Sequence, residues 1–434
     1  MLCVHNETLL DLLRQRYLPA DLDALRRHLL HHSTFALPEP VNGLYPAIGT
    51  GSRDAAASGY RRVWVRDNCY IALSQLRAGT PAIALAIVAA LRCYFRKHRH
   101  RFEAIIDGAV DFHLPMNRPH IRFDGATLAE VERKWPHAQN DALGYFLWLY
   151  CRMAGEGLLA EDGIDLELLA LFVRYFARIE FWRDEDSGHW EEGRKVSASS
   201  VGTVTAALRE LRAVLLRTGR EEEAAANGID PQLLHRLIGA GQAALAEILP
   251  AESVQAGRRR PVDGALLFLV YPLQAVDDAM ADRIIANVAA SLSGAHGIRR
   301  YRGDSYWCAD YKTHLREGER SVDCSDNLAA RDALLREGEE AQWCIFDPIL
   351  SVIHGERWLR CGDDNQRRLQ VHHFNRAIAQ LTAADCPSGP LRCPEAYYLE
   401  RGVYVPNDQT PLLWTQSNLL LAFQCMARTV AAPR

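Results

Sequence analysis

Two adjacent carboxylates, Glu191 and Glu192, follow a tryptophan in the run Asp186-Ser-Gly-His-Trp190-Glu191-Glu192-Gly193. A ring beside a carboxyl excludes water, raises its pKa and keeps an acid protonated near neutral pH. Four other stretches combine aromatics with hydrogen-bonding side chains: Trp64, Arg66 and Asp67; Trp135, His137, Gln139 and Asp141; Arg300 to Trp307, with Asp304 inside it; and Cys393 to Glu400, with Glu395 and Tyr397. Indole and phenol rings offer flat apolar faces. Arginine, aspartate and glutamine offer paired, directional hydrogen bonds. A sugar has apolar C–H faces and a rim of hydroxyls, so this palette suits carbohydrate. Hydrolysis of a glycosidic bond needs two carboxyl groups, one to protonate the leaving oxygen and one to attack the sugar or activate water. Glu191 is the candidate acid. Glu395 and Glu400 are both candidates for its counterpart. Neither a G-x-S-x-G serine elbow nor a Walker lysine motif occurs.

These residues must be held by helices. Ser197 and Ser199 precede Val201, Val204, Leu208, Leu211 and Leu215 at helical spacing, which places Glu191 and Glu192 on a loop ahead of a helix. An opening helix is expected over 7–31, interrupted at Pro19. Thr80-Pro81 predicts a cap and first-turn proline for a helix to Lys97. The basic run Arg96 to Arg101 reads as a cationic helix C-terminus. Residues 101–125, punctuated by Pro115, Pro119 and Gly125, read as irregular. Further helices are expected from Asp141, and at 165–182, 197–218, 231–249, 262–271, 280–292, 338–355, 364–383 and 412–428. Gly49-x-Gly51, in a loop over 35–59, has neither the third glycine nor the preceding strand of a dinucleotide site. A helical toroid and an irregular bundle both fit this pattern.

The composition of the 434 residues, 48% hydrophobic and 24% charged, is that of a globular chain with an ample core. The net charge of −4 favours neither nucleic acid nor an anionic membrane as partner. Eleven scattered cysteines, without C-x-x-C or H-E-x-x-H, indicate no disulfide framework and no metal or other cofactor. Free thiols, and a start with no basic stretch leading into an apolar one, suit the cytoplasm. No apolar run is long enough to span a bilayer.

In order along the chain, the motifs resemble glycoside hydrolase family 15, the glucoamylase family. They resemble more closely still the glucoamylase-like domain of the phosphorylase kinase alpha and beta subunits. The matching stretches are Trp64-x-Arg66-Asp67-Asn68, Trp135-x-x-x-Gln139-x-Asp141, Asp186-x-Gly188-x-Trp190-Glu191-Glu192 with Ala198-Ser-Ser200-Val-Gly202, and Pro261-Val-Asp263-x-Ala265. Arg300-Tyr301-x-x-Asp304-Ser305-Tyr306, Trp343, Pro394-Glu395-x-Tyr397 and Trp414-x-Gln416-Ser417 complete the set. They cover about residues 60–425.

The resemblance implies an all-α fold, a single (α/α)6 barrel over 1–434 with its pocket at one end. It implies an exo-acting, inverting hydrolase that releases glucose from non-reducing ends of α-linked oligosaccharides. Its register makes Glu191 the general acid and selects Glu395 over Glu400 as general base. Trp64, Arg66, Asp67, Trp135, Gln139, Asp141, Trp190, Glu192, Arg300, Asp304, Trp343 and Tyr397 are the implied substrate-binding residues. There are departures: His137 stands where these enzymes commonly carry arginine, Asn140 also differs, and the early loop lacks longer aromatic segments. Neither a starch-binding module, nor an N-terminal β-sandwich, nor the large C-terminal regions of the kinase proteins are expected in this length, which favours a small oligosaccharide over granular starch. The rival expectation is a catalytically silent sugar-sensing relative of the kinase subunits. Trehalose hydrolysis is a third.

Overall fold

The structure, a computed structural model, describes residues 2–49, 59–159 and 163–432. Gly51 and residues 50–58 of the expected early loop lie outside them. Twelve of the helices alternate along the chain between two layers: α1 (Pro19–His31), α2 (Val65–Arg77), α3 (Pro81–Lys97), α4 (Asn140–Gly155), α5 (Leu166–Arg178), α6 (Ala198–Thr218), α7 (Pro231–Ile248), α8 (Leu267–Val270), α9 (Asp278–Leu292), α10 (Phe346–Cys361), α11 (Asp364–Ala379) and α12 (Leu413–Ala431). The even-numbered helices pack each on the next, and α12 packs back on α2, so they close a ring. The odd-numbered helices back them, α1 against α12, α3 against α2, and so on round to α11 against α10. This is the (α/α)6 toroid.

The two layers differ in sequence for a physical reason. An outer helix needs one apolar stripe. In α7 that stripe is Leu234, Leu237, Ile238, Gly241, Leu245 and Ile248, and the Asp230 side chain caps its start by accepting from the amides of Gln232 and Leu233. An inner helix is enclosed all round, and almost every residue of α4 is buried. Close approach of α4 to α6 depends on Gly144: a Cβ there would lie 3.2 Å from the backbone of Thr203 and Val204.

Among the described residues, two small antiparallel sheets decorate the ring. In one, β1 (Val63–Trp64) pairs with β2 (Arg122–Asp124), which pairs with β3 (Ala129–Glu130). In the other, β4 (Gln342–Trp343) pairs with β5 (Ala396–Glu400), with Trp343 opposite Ala396, and β5 pairs with β6 (Val403–Pro406).

Several boundaries differ from expectation. The opening stretch is a short turn, Glu7–Leu9, and a separate α1 that begins at Pro19, because Leu18 takes the extended conformation favoured before proline. Arg99–Ile106 is a helix rather than irregular. α3 does end at Lys97, but the basic run is spent on ion pairs, Arg96 with Asp165 and Arg101 with Glu130. α10 starts at Phe346 rather than 338, since β4 occupies 342–343. Ser197 occupies the cap position of α6, yet its side chain makes no cap bond, and Ser199 instead donates to Glu252. Among the described residues no helix is long and apolar enough to cross a membrane.

Candidate active site

The loop between α5 and α6 is pinned before it presents its carboxylates. Asp186 and Lys195 exchange both backbone hydrogen bonds at 3.0 Å, and the amide of Ser187 donates to the carbonyl of Ala138 at 2.6 Å. A turn over Gly188–Trp190 ends in Glu191 at φ 58, the left-handed region that few non-glycine residues adopt. This reversal sends neighbouring side chains opposite ways. Glu191 faces a cavity, while Glu192 turns into a nest of cations.

The Glu191 side chain is 18% exposed and is clasped at one oxygen. Trp64 Nε1 donates to Oε1 at 2.9 Å, and Arg66 Nη2 stands 3.5 Å from it. Burial pushes its carboxyl above the usual range, and Arg66, Arg122 and the Trp64 bond pull against that. Arg66 is itself fixed from behind by Asp141 at 2.6 Å and Gln139 at 3.3 Å.

Glu395 enters from beside the second sheet, just ahead of β5. Its amide donates to the carbonyl of Gln409, and its carbonyl accepts from Cys344, which locks it beside Trp343. Asn407 Nδ2 donates to Oε2 at 2.5 Å. Tyr60 donates to Oε1 at 3.3 Å and Tyr306 to Oε2 at 3.4 Å. Burial pushes the Glu395 carboxyl up to about 8, with Asn407 the first of the groups opposing it.

Glu191 and Glu395 line one cavity of about 100 Å3. Trp64, Arg66, Asp67, Trp135, Trp190, Arg300 and Trp343 stand in the same wall. Burial raises the Asp67 carboxyl to about 7, against the opposing charge of Arg66. Arg300 lies between the rings of Trp190 and Trp343, its carbon 5.1 and 4.8 Å from their centroids. Trp190 Nε1 donates to Asp263 at 2.8 Å, which fixes that ring. Among the described residues the Nε1 atoms of Trp135, Trp343 and Trp414 meet no acceptor.

Five of the residues expected to bind substrate stand outside this wall. Gln139 and Asp141 lie behind Arg66. Asp304 grips Arg300 with both oxygens at 2.6 and 2.7 Å. Glu192 accepts from Arg300 and Arg331 at 2.9 Å and from Tyr301, with Arg260 3.6 Å away. Burial pushes its carboxyl up, but the three guanidiniums outweigh that and hold it at about 2. These four residues support the wall. Tyr397 is different: its hydroxyl donates to the carbonyl of Gln380 and its ring stacks on His5 at 3.8 Å, because β5 begins after Glu395 and its first rings pack into the protein. His137 is likewise removed, stacked on His120 at 3.7 Å.

Tyr60, Tyr306, Arg331, His189 and Trp414 also line the cavity, though the sequence reading does not assign them to the site. Tyr60, Tyr306 and Trp414 fall within or beside the matching motifs, which is the signal that could have found them. Arg331 lies in a polar stretch with none. His189 is kept neutral by burial, its pKa down at about 3, and sits between Tyr145 and Ser199 at 3.2 and 3.1 Å.

Comparison with known proteins agrees with this architecture. A probable phosphorylase b kinase regulatory subunit alpha from Drosophila melanogaster is 26% identical over 92% of this chain, and the match covers 32% of that protein. The Caenorhabditis elegans counterpart is 26% identical over 70% of this chain and 24% of its own length, so the chain spans a third or less of these curated relatives. An uncharacterized lipoprotein of Escherichia coli, YgeQ, is 28% identical over 43% of this chain. Among solved structures, a wild-type glycosidase superposes with a TM-score of 0.61 at 22% identity, covering 94% of this chain and 97% of that one. A glucoamylase from Saccharomycopsis fibuligera gives 0.58 at 12% identity, covering 96% and 97%. Likeness at these identities concerns the fold. The family model described as glycosyl hydrolases family 15 matches residues 24–307, well over half of the sequence, and the chain therefore belongs to glycosyl hydrolase family 15.

Proposed function

We propose that the protein hydrolyses α-linked gluco-oligosaccharides from the non-reducing end with inversion. The observation that carries this reading is the convergence of Glu191, from the α5–α6 loop, and Glu395, from just ahead of β5, on one cavity walled by tryptophans and arginines. In this reading Glu191, whose carboxyl burial pushes above its usual range, donates its proton to the glycosidic oxygen as the bond to the anomeric carbon breaks. Glu395 takes a proton from the water that attacks the opposite face. Arg66, Asp67 and Arg300 hold hydroxyls of the terminal sugar, and Trp135 packs beside the bond being broken. The indole N–H groups that meet no acceptor among the described residues suit hydroxyl or water acceptors. A variant of the superposed glycosidase was solved with glucose, and a bacterial glucoamylase with acarbose, which supports a sugar in the cavity. The free cysteines support a reducing, cytoplasmic setting.

The second reading is a sugar-sensing regulatory protein that binds without turnover, favoured by the relatives named as kinase regulatory subunits. One experiment separates the two. Purified protein is incubated with maltooligosaccharides and trehalose, and product is followed by NMR. Release of the β-anomer of glucose supports the first reading, provided that Glu191→Gln and Glu395→Gln each lower turnover by about 10²–10⁴-fold with the fold retained. Saccharide binding without release supports the second. Wild-type turnover in either variant removes the catalytic assignment.

A further inference from the structure

Away from the cavity, three side chains from two distant parts of the sequence converge on one point. Cys3 Sγ lies 3.5 Å from His296 Nδ1, and His5 Nε2 lies 3.1 Å from the same nitrogen. All three atoms fall within 4.8 Å of one another. As protein-only contacts these are poorly matched. A ring nitrogen of a neutral imidazole carries either one hydrogen or one in-plane lone pair, so His296 Nδ1 can pair fully with only one of its two neighbours, the thiol or the second imidazole. A cation at the centre would give each of the three its own lone-pair bond.

The spacing suits one class of ion. Zinc bonds of about 2.3 Å to sulfur and about 2.0–2.1 Å to nitrogen, at tetrahedral angles, place nitrogen and sulfur about 3.5 Å apart and two nitrogens about 3.4 Å apart. The observed 3.5 and 3.1 Å edges need only a small opening between the two rings. One thiolate and two imidazoles form a donor set of borderline softness, which favours zinc over magnesium or calcium.

The ligands are also held from outside. His5 stacks on Tyr397 at 3.8 Å and 6°, and its amide donates to the carbonyl of Ala379. His296 stacks on Tyr404 at 4.1 Å, and its amide donates to Gln342 Oε1 at 2.7 Å. Asn6 Nδ2 donates to the carbonyl of Thr382 at 2.9 Å and anchors the segment that carries Cys3 and His5. A second grouping, His98, His100 and Glu130, lacks this freedom, since Glu130 is already taken by Arg101.

We propose that Cys3, His5 and His296 bind a zinc-class divalent cation, with a fourth position left for water or an added ligand. The sequence motif Cys3-x-His5 alone is too short to announce such a site, because the third ligand lies in the α9–β4 connection. Bound there, the ion would tie the start of the chain to the sheet that leads into Glu395.

The test uses tag-free, full-length protein stripped with a chelator and titrated with Co2+. Expected is one Co2+ per chain with a thiolate-to-cobalt charge-transfer band, displaced by Zn2+. Cys3→Ser should abolish the band, and His5→Gln and His296→Gln should each weaken binding by more than about tenfold, the low end of the effect seen for residues that merely support ligands. Cys93→Ser with Cys361→Ser, which removes the exposed thiols, should leave band and stoichiometry intact. Circular dichroism confirms that each variant is folded. Absence of the band in the wild type, its persistence in Cys3→Ser, or its loss in the Cys93/Cys361 control would overturn the proposal.

Discussion

Trp64 and Glu191 are joined by an indole N–H directed at Oε1 over 2.9 Å. That donor stabilises the carboxylate form, while burial stabilises the neutral acid. As the proposed acid, Glu191 is active while protonated, so its titration sets the alkaline limb of the pH profile. Trp64→Phe removes the donor and keeps a ring. The Glu191 pKa should rise further, and the alkaline limb of kcat should move to higher pH. An unchanged or lowered limb in the measured profile counts against the role of Glu191.

For Glu395 the sign is opposite. A general base works deprotonated, so activity falls as pH drops through its pKa. Because that pKa is raised to about 8 by burial, the acid limb of kcat/KM should lie well above the ordinary carboxylate range. Asn407 favours the charged form through its 2.5 Å bond. Asn407→Ala should push the acid limb higher still. The two limbs belong to the interacting pair, so they are to be fitted together in wild type and variant.

Glu192 governs stability rather than titration of the reaction. With Arg300, Arg331 and Arg260 gathered around it, Glu192→Ala leaves buried cations uncompensated. The expected loss is about 3–5 kcal/mol in urea or thermal unfolding. In the wild type the carboxyl titrates near 2 when folded and near 4.5 when unfolded. Its contribution is therefore complete above about pH 4.5 and is lost as pH falls toward 2. The alanine variant should show a flatter acid-side dependence. An identical dependence would argue that the cage is energetically idle.

Gly297 faces a constraint of backbone rather than of side chain. A Cβ there would stand 2.6 Å from the carbonyl oxygen of Trp343. Neither strand can yield without moving Trp343, which lines the cavity and whose amide donates to Ile298 at 2.8 Å. Gly297→Ala should cost about 1–3 kcal/mol of stability and weaken saccharide binding together with it. A variant as stable as the wild type by calorimetry would mean that the loop has room to shift.

The sequence carries the ring well and its edges poorly. Apolar residues at helical spacing mark α7, whose packing is one-sided, and the second half of α6, where only Leu211, Val214 and Leu215 are buried. Where packing is two-sided, as at 342–346, periodicity vanishes and the helix start is misplaced. In the site, Glu191, Trp64 and Arg300 are legible because each stands in a motif of unusual composition. Tyr397 sits in such a motif too, yet packs away from the cavity, since only the fold decides which side of β5 meets the pocket. Arg331 is invisible beforehand. Its role comes from a tertiary encounter with Glu192, 139 positions away.

The closure of α12 on α2 brings Trp414 into the same wall as Tyr60 and Trp64. During synthesis α2 must therefore wait, part of its inner face uncovered, until the α12 segment Leu413–Ala431 has left the ribosome. A fragment ending at residue 307 would keep Glu191 but lack Trp343, Glu395 and Trp414. The cavity is thus a late and indivisible product of folding, and a nascent chain cannot close it before α12 docks.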